Sequence, residues 1–159
     1  MDPFSLLKKG ISYHNQKVTK ATEGITQAEA LFRPYNSANS LLWEVGHLTF
    51  FRNTYIKLLN STEKLEKLDN ETALFGFGST THAPEVYPAL EAVVGAFLQR
   101  GTRIEELLAT TTPDHWDSDS PINFPGGKTV GSQIEFLLLH EGLHTGEMMY
   151  ISTLIKRLR

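Results

Sequence analysis

TVGSQIEFLLLHEGLHTGEMMYISTLIKRL, residues 129–158, is the stretch from which the fold is read. Thr129 opens a helix there, and Lys156, Arg157 and Arg159 suit its far end, where positive charge offsets the helix dipole. At roughly 100° per residue, Ile134, Phe136, Leu137, Leu143, Met148, Ile151, Leu154 and Ile155 form one broad apolar arc. His140 and His144 fall in the middle of that arc, so the reading predicts one long amphipathic helix that buries two imidazoles.

The same three-and-four spacing recurs upstream. Asp2 is expected to cap a helix starting at Pro3, whose buried stripe is Phe4, Leu7, Ile11, His14, Val18, Ala21 and Ile25. It should end before the turn-rich segment from Phe32 to Ser40. Asn39 or Ser40 then caps a second helix running to about Leu59, with Leu41, Val45, Leu48, Phe51, Tyr55 and Leu58 inward. A third begins at Pro88 and ends near Thr110, on the stripe Leu90, Val94, Phe97, Ile104 and Leu108. Residues 62–88 and 111–128, rich in Gly, Pro and charge, read as long connections. The expected fold class is all-α: a four-helix bundle, residues 1–159 forming one domain, whose long connections are crossovers.

Composition removes several function classes. The chain has no cysteine, so disulfides, thiolate metal sites and cysteine nucleophiles drop out, and any metal must be held by imidazole, carboxylate or water. Lys and Arg number 15 against 18 Asp and Glu, a net charge of -3, which gives no field to attract nucleic acid or a lipid surface. No long apolar run and no secretory leader are seen, which points to a cytoplasmic protein.

Histidine carries the chemistry. His140 and His144, four apart, project from one helix face one turn apart, a geometry that can place both rings on one ion. Buried imidazoles each need a polar partner, and an unpaired buried group costs about 1–3 kcal/mol. A lone core histidine is usually satisfied by a carbonyl or a water; a pair in one arc favours a shared metal. His47, flanked by Trp43 and Phe51 at i−4 and i+4, completes a three-histidine set with open positions for water or substrate, as catalytic metal sites have. His14 reads as a satisfied core histidine or a support to the metal ligands; His82 and His115 read as surface loop residues.

The string His140-Glu141-Gly142-Leu143-His144 also fits the zinc-protease pattern H-E-x-x-H. That reading fails, because only fifteen residues follow His144 and none is a histidine. Glu141 remains the best candidate base toward water at the site, beside the alternative of a supporting or solvated carboxylate.

Leu31-Phe32-Arg33-Pro34, followed by Asn39-Ser40-Leu41-Leu42-Trp43 and Gly46-His47-Leu48, together with Thr129-Val130-Gly131 leading to His140-Glu141-x-x-His144-x-Gly146-Glu147, resembles the DinB/YfiT-like family of metalloenzymes over nearly the whole chain. The resemblance implies an up-down-down-up bundle, often a homodimer, in which His47, His140 and His144 bind nickel, zinc or iron. It also implies a thiol S-transferase with a low-molecular-weight thiol cosubstrate, an isomerase, or a damage-induced protein. Glu147 departs from the glutamine that many relatives carry. Two function classes stay open: a metal-dependent transferase or hydrolase acting on a small molecule, and a noncatalytic metal-binding stress protein working through its dimer surface. An opening to the site, rimmed by Trp43, Phe75, Phe77 and Trp116, would favour the first. A metal-free bundle used only for association is a third reading.

Overall fold

The computed structural model describes residues 3–159 and is all-helical, without a strand among those residues. Four long helices, α1 (Pro3–Thr22), α3 (Leu41–Leu59), α5 (Leu90–Leu108) and α7 (Val130–Arg157), alternate with three short ones, α2 (Gln27–Ala30), α4 (Glu71–Phe75) and α6 (Pro113–Asp117). The cap expected at Asp2 lies outside the described residues. No helix among the described residues is long and apolar enough to cross a membrane.

α3 packs along α5 and α7, and α1 packs along the same two helices. Val18, Leu41, Val45, Phe97 and Met148 anchor one apolar cluster, and Ile11, Tyr55, Leu58, Ile104 and Ile134 anchor a second. Each such aliphatic or aromatic side chain, fully buried, contributes about 1.5–3 kcal/mol.

The long helices start and stop close to the sequence expectation, and the departures have local causes. α1 ends at Thr22 rather than continuing through Ile25, because Gly24 turns the chain at φ +66° and Thr26 begins α2 with a reciprocal capping box to Glu29. α5 starts at Leu90 behind Ala89, which has no capping side chain; Gln27 of α2 accepts the Leu90 N–H at 2.8 Å instead. Both long connections contain a helical turn. α4 lies within 62–88, and α6 within 111–128, where Thr112 caps it and Pro113 sits in its first turn.

The apolar arc read for α7 needs correction. Ile134, Leu137, Met148, Ile151 and Ile155 are buried, but Leu143 is 72% exposed and Phe136 38%. The helix carries more apolar circumference than α1 and α3 cover. His140 and His144 therefore sit half-buried at the edge of the packed interface, while His47 on α3 is buried.

Candidate metal centre

α3 and α7 bring the three histidines together. The ring centroids of His47 and His144 are 4.5 Å apart, those of His140 and His144 4.5 Å, and those of His47 and His140 5.2 Å. One ring nitrogen from each lies within 4.8 Å of the others, a grouping that can hold a metal ion.

Two of the three rings have their orientation fixed from behind. His47 donates Nδ1–H to the Phe75 carbonyl at 2.7 Å, which leaves Nε2 as the bare nitrogen, 3.3 Å from Nε2 of His140. His144 donates Nδ1–H to Glu44 Oε2 at 2.7 Å, again turning Nε2 forward. Histidines that bind metals characteristically donate their other N–H to a carboxylate or a backbone carbonyl, and both kinds of partner are present. Nδ1 of His140 is buried with no hydrogen-bond partner among the described residues. The donor set fits a borderline divalent ion, for which imidazole is a suitable ligand.

Burial keeps the rings of His47 and His140 neutral. Desolvation pushes the pKa of His47 down to about 4 and that of His140 to about 4, with the neighbouring imidazoles acting in the same direction. At neutral pH their lone pairs are free to coordinate.

The backbone positions these groups through one close approach. A Cβ at Gly46 would collide with the Phe75 ring, so glycine at this turn of α3 admits Phe75 against the helix and sets its carbonyl beside His47. α4 is held in turn by Glu71, whose Oε1 accepts from Arg100 Nη1 at 2.6 Å. Arg100 also donates to the carbonyls of Thr49 and Glu66.

Aromatic rings frame the group. The Trp43 indole stacks on His47 with centroids 4.4 Å apart, and Phe51 meets both His47 and His140 at 4.7 Å. Phe124, from the connection before α7, packs on Phe51 at 5.9 Å. Of the anticipated rim, Trp43 is in place and Phe77 is exposed on its loop, but Phe75 is fully buried beneath Gly46. Trp116 is buried as well, packed edge-on against Phe4.

Glu141 is not a member of the three-histidine group. Its Oε1 accepts from Arg52 Nη2 at 2.7 Å and Nε at 3.1 Å; both residues are buried, and Arg52 also caps the Phe97 ring and donates to Asn15 and the Phe97 carbonyl. Burial and the Glu141 carboxylate push the Tyr55 hydroxyl pKa well up. Glu147, by contrast, groups with Glu44 and the Nδ1 side of His144, where burial and the Glu44 carboxylate raise its pKa. Glu44 was missed in the sequence, although an acid inside the run Leu41-Leu42-Trp43-Glu44-Val45, three residues before a histidine, is its signal.

The other histidines are satisfied individually. His14 shares a 2.9 Å hydrogen bond with Thr145 Oγ1, inside the core. His82 and His115 are half-buried rather than on the open surface, donating to the carbonyls of Ala73 and Leu58. The family model of the DinB superfamily matches residues 11–148. No curated protein matches the chain.

Proposed function

The chain belongs to the DinB superfamily, and from that premise we propose that it is a metal-dependent enzyme acting on a small molecule, with His47, His140 and His144 as ligands of one divalent ion. The observation that carries this is the pair of hydrogen bonds behind the site: Phe75 and Glu44 each occupy a Nδ1–H, so that the bare Nε2 atoms of His47 and His144 face forward. Once bound there, nickel, zinc or iron supplies Lewis acidity that lowers the pKa of a coordinated thiol or water and yields a nucleophile near neutral pH.

The protein's own residues orient and shield. Glu44 holds His144 and offsets charge gathered at the centre; Trp43, Phe51 and Phe124 exclude water from one side. Partial exposure of His140 and His144 leaves the group reachable by a small substrate, which favours catalysis over a sealed storage site. In this reading Glu141 is a positioning residue: its pair with Arg52 fixes the turn of α7 from which His140 and His144 project.

Thiol S-transfer and hydrolysis both suit the centre. A low-molecular-weight thiol as cosubstrate is supported by the resemblance of the Leu31–Pro34, Gly46–Leu48 and His140–Glu147 motifs. We further propose one domain arranged up-down-down-up. Supporting it, residue numbers rise together in the contacts His14 with Thr145 and Ala21 with Ser152, but run oppositely in Glu44 with His144 and His47 with His140. A homodimer is supported by Phe136, Leu139, Leu143 and Tyr150, exposed apolar residues within about 60° of one another on the outer face of α7.

The test is elemental analysis of untagged protein beside His47→Ala, His140→Ala and His144→Ala, followed by thiol-conjugation and hydrolysis assays. Near-stoichiometric metal in the parent and little in each variant is expected; equal content in all four overturns the assignment.

A further inference from the structure

A cavity of about 240 Å³, lined by Trp43 but not by His47, lies between the chain around Arg33 and the segment that carries Ser79 to Tyr87. Its lining contains no aspartate or glutamate. Arg33 is anchored by donation from Nε to the Ala38 carbonyl and from Nη1 to Thr81 Oγ1, and Nη2 has no partner among the described residues. Among the described residues no carboxylate pairs with this guanidinium.

Four of the hydroxyls around it share one feature. Ser40 Oγ accepts from the Trp43 backbone N–H, Ser79 Oγ from the Trp43 indole N–H, and Thr81 Oγ1 from Arg33; Tyr87 Oη accepts from the backbone N–H of His82. Each is therefore an acceptor toward nitrogen, and none donates its own O–H to another described residue. The cavity is rich in donors: four hydroxyl hydrogens that no described residue accepts and a guanidinium whose Nη2 has no described partner, beside the Asn39 amide and the His82 ring. A donor set of that kind is satisfied by a ligand that brings acceptors and negative charge.

We propose that this cavity is a binding site for small oxyanion-bearing molecules, carboxylates or phosphates, held by Arg33 and the hydroxyls of Ser40, Ser79, Thr81 and Tyr87. Its volume accommodates a phosphate or a short dicarboxylate and falls below that of a usual drug-sized pocket. The site is assembled without any of the three histidines, so it stands whether or not they hold a metal. Where they do, Trp43, which lines the cavity and stacks on His47, joins the two sites.

The chain's two tryptophans supply the readout. In 1H–15N spectra the Trp43 indole N–H, bonded to Ser79, reports on the cavity, while that of Trp116 serves as an internal control; Trp43→Phe assigns them. Inorganic phosphate and succinate are titrated separately against chloride of matched ionic strength. The expected result is a saturable shift of the Trp43 resonance alone, with the tighter of the two probes identifying the head group. Arg33→Gln should weaken binding by about tenfold or more, which corresponds to about 1.4 kcal/mol, whereas His140→Ala should leave it unchanged. Thr81→Val keeps the charge and removes the prop on Arg33; it too should weaken binding, and it decides alone if Arg33→Gln displaces the Trp116 resonance through misfolding. No saturable shift with either probe, or undiminished binding in these variants, overturns the proposal.

Discussion

Two clusters packed against α3 handle buried polarity in opposite ways. Toward α5, Arg100 and Glu71 form an ion pair at 2.6 Å, the remaining Arg100 donors reach two carbonyls, and Asn53 approaches the other Glu71 oxygen. Toward α7, beside the matched pair of Arg52 and Glu141, three imidazoles converge, with the Nε2 atoms of His47 and His140 3.3 Å apart and the Nδ1 of His140 unpartnered among the described residues. A polar group matched within the protein holds the fold together. A group whose lone pairs converge on a common point lacks something the protein does not provide, and that contrast separates scaffold from site.

The largest effect expected from breaking the comparison is on the matched side. Glu71→Ala leaves the Arg100 charge buried without its partner, which should destabilise the protein by about 3–5 kcal/mol. Denaturant unfolding measures this; a loss under 1 kcal/mol would show that Arg100 finds water or another acceptor. Because Glu71 anchors α4, the same variant should also loosen the Phe75 carbonyl behind His47 and weaken metal retention.

On the converging side the order reverses. His140→Ala removes a ring with no partner at Nδ1, so the metal-free protein should lose little stability. The parent, with free metal at about a hundred times its Kd, should gain about 2.7 kcal/mol that the variant does not. Thermal unfolding with and without chelator resolves the two. An equal response to metal in both proteins would mean that the ion binds elsewhere.

Glu44→Gln is a milder probe, since the amide still accepts from His144 but carries no charge. Loss of such a supporting carboxylate typically weakens metal affinity about 10–100-fold. Competition with a chromogenic chelator would read it, and a change below about threefold would assign Glu44 to packing rather than to tuning the ligand.

Much of this contrast was legible in the sequence. Apolar spacings of three and four place α1, α3, α5 and α7, and they set His140, His144 and His47 on faces that can meet. The short helices were not visible, because α4 and α6 are five residues each and depend on tertiary anchors such as the Glu71–Arg100 pair. Nor was the acceptor of His47, a backbone carbonyl 28 residues away whose approach requires Gly46. Phe136 and Leu143 were placed on the wrong side because a helical wheel gives the apolar arc but not which neighbours cover it. Glu141, singled out by its place in H-E-x-x-H, lies among the matched pairs with Arg52.

The two clusters also separate by pH. In the unfolded chain His47 and His140 take up protons near their ordinary value of 6.5; burial lowers that to about 4 in the folded protein. Between those values the unfolded state binds more protons, so stability rises with pH across the window. Metal-free protein should keep the whole contribution above pH 6.5 and lose it progressively as the pH falls toward 4. The carboxylates and His14 are common to the parent and a His140→Leu variant, so the difference between their pH profiles isolates one imidazole of the group. A shallower decline in the variant is expected from urea unfolding at successive pH values. Identical slopes would mean that the ring in the folded protein protonates as readily as in water, and would remove the desolvation argument for a neutral, coordination-ready histidine.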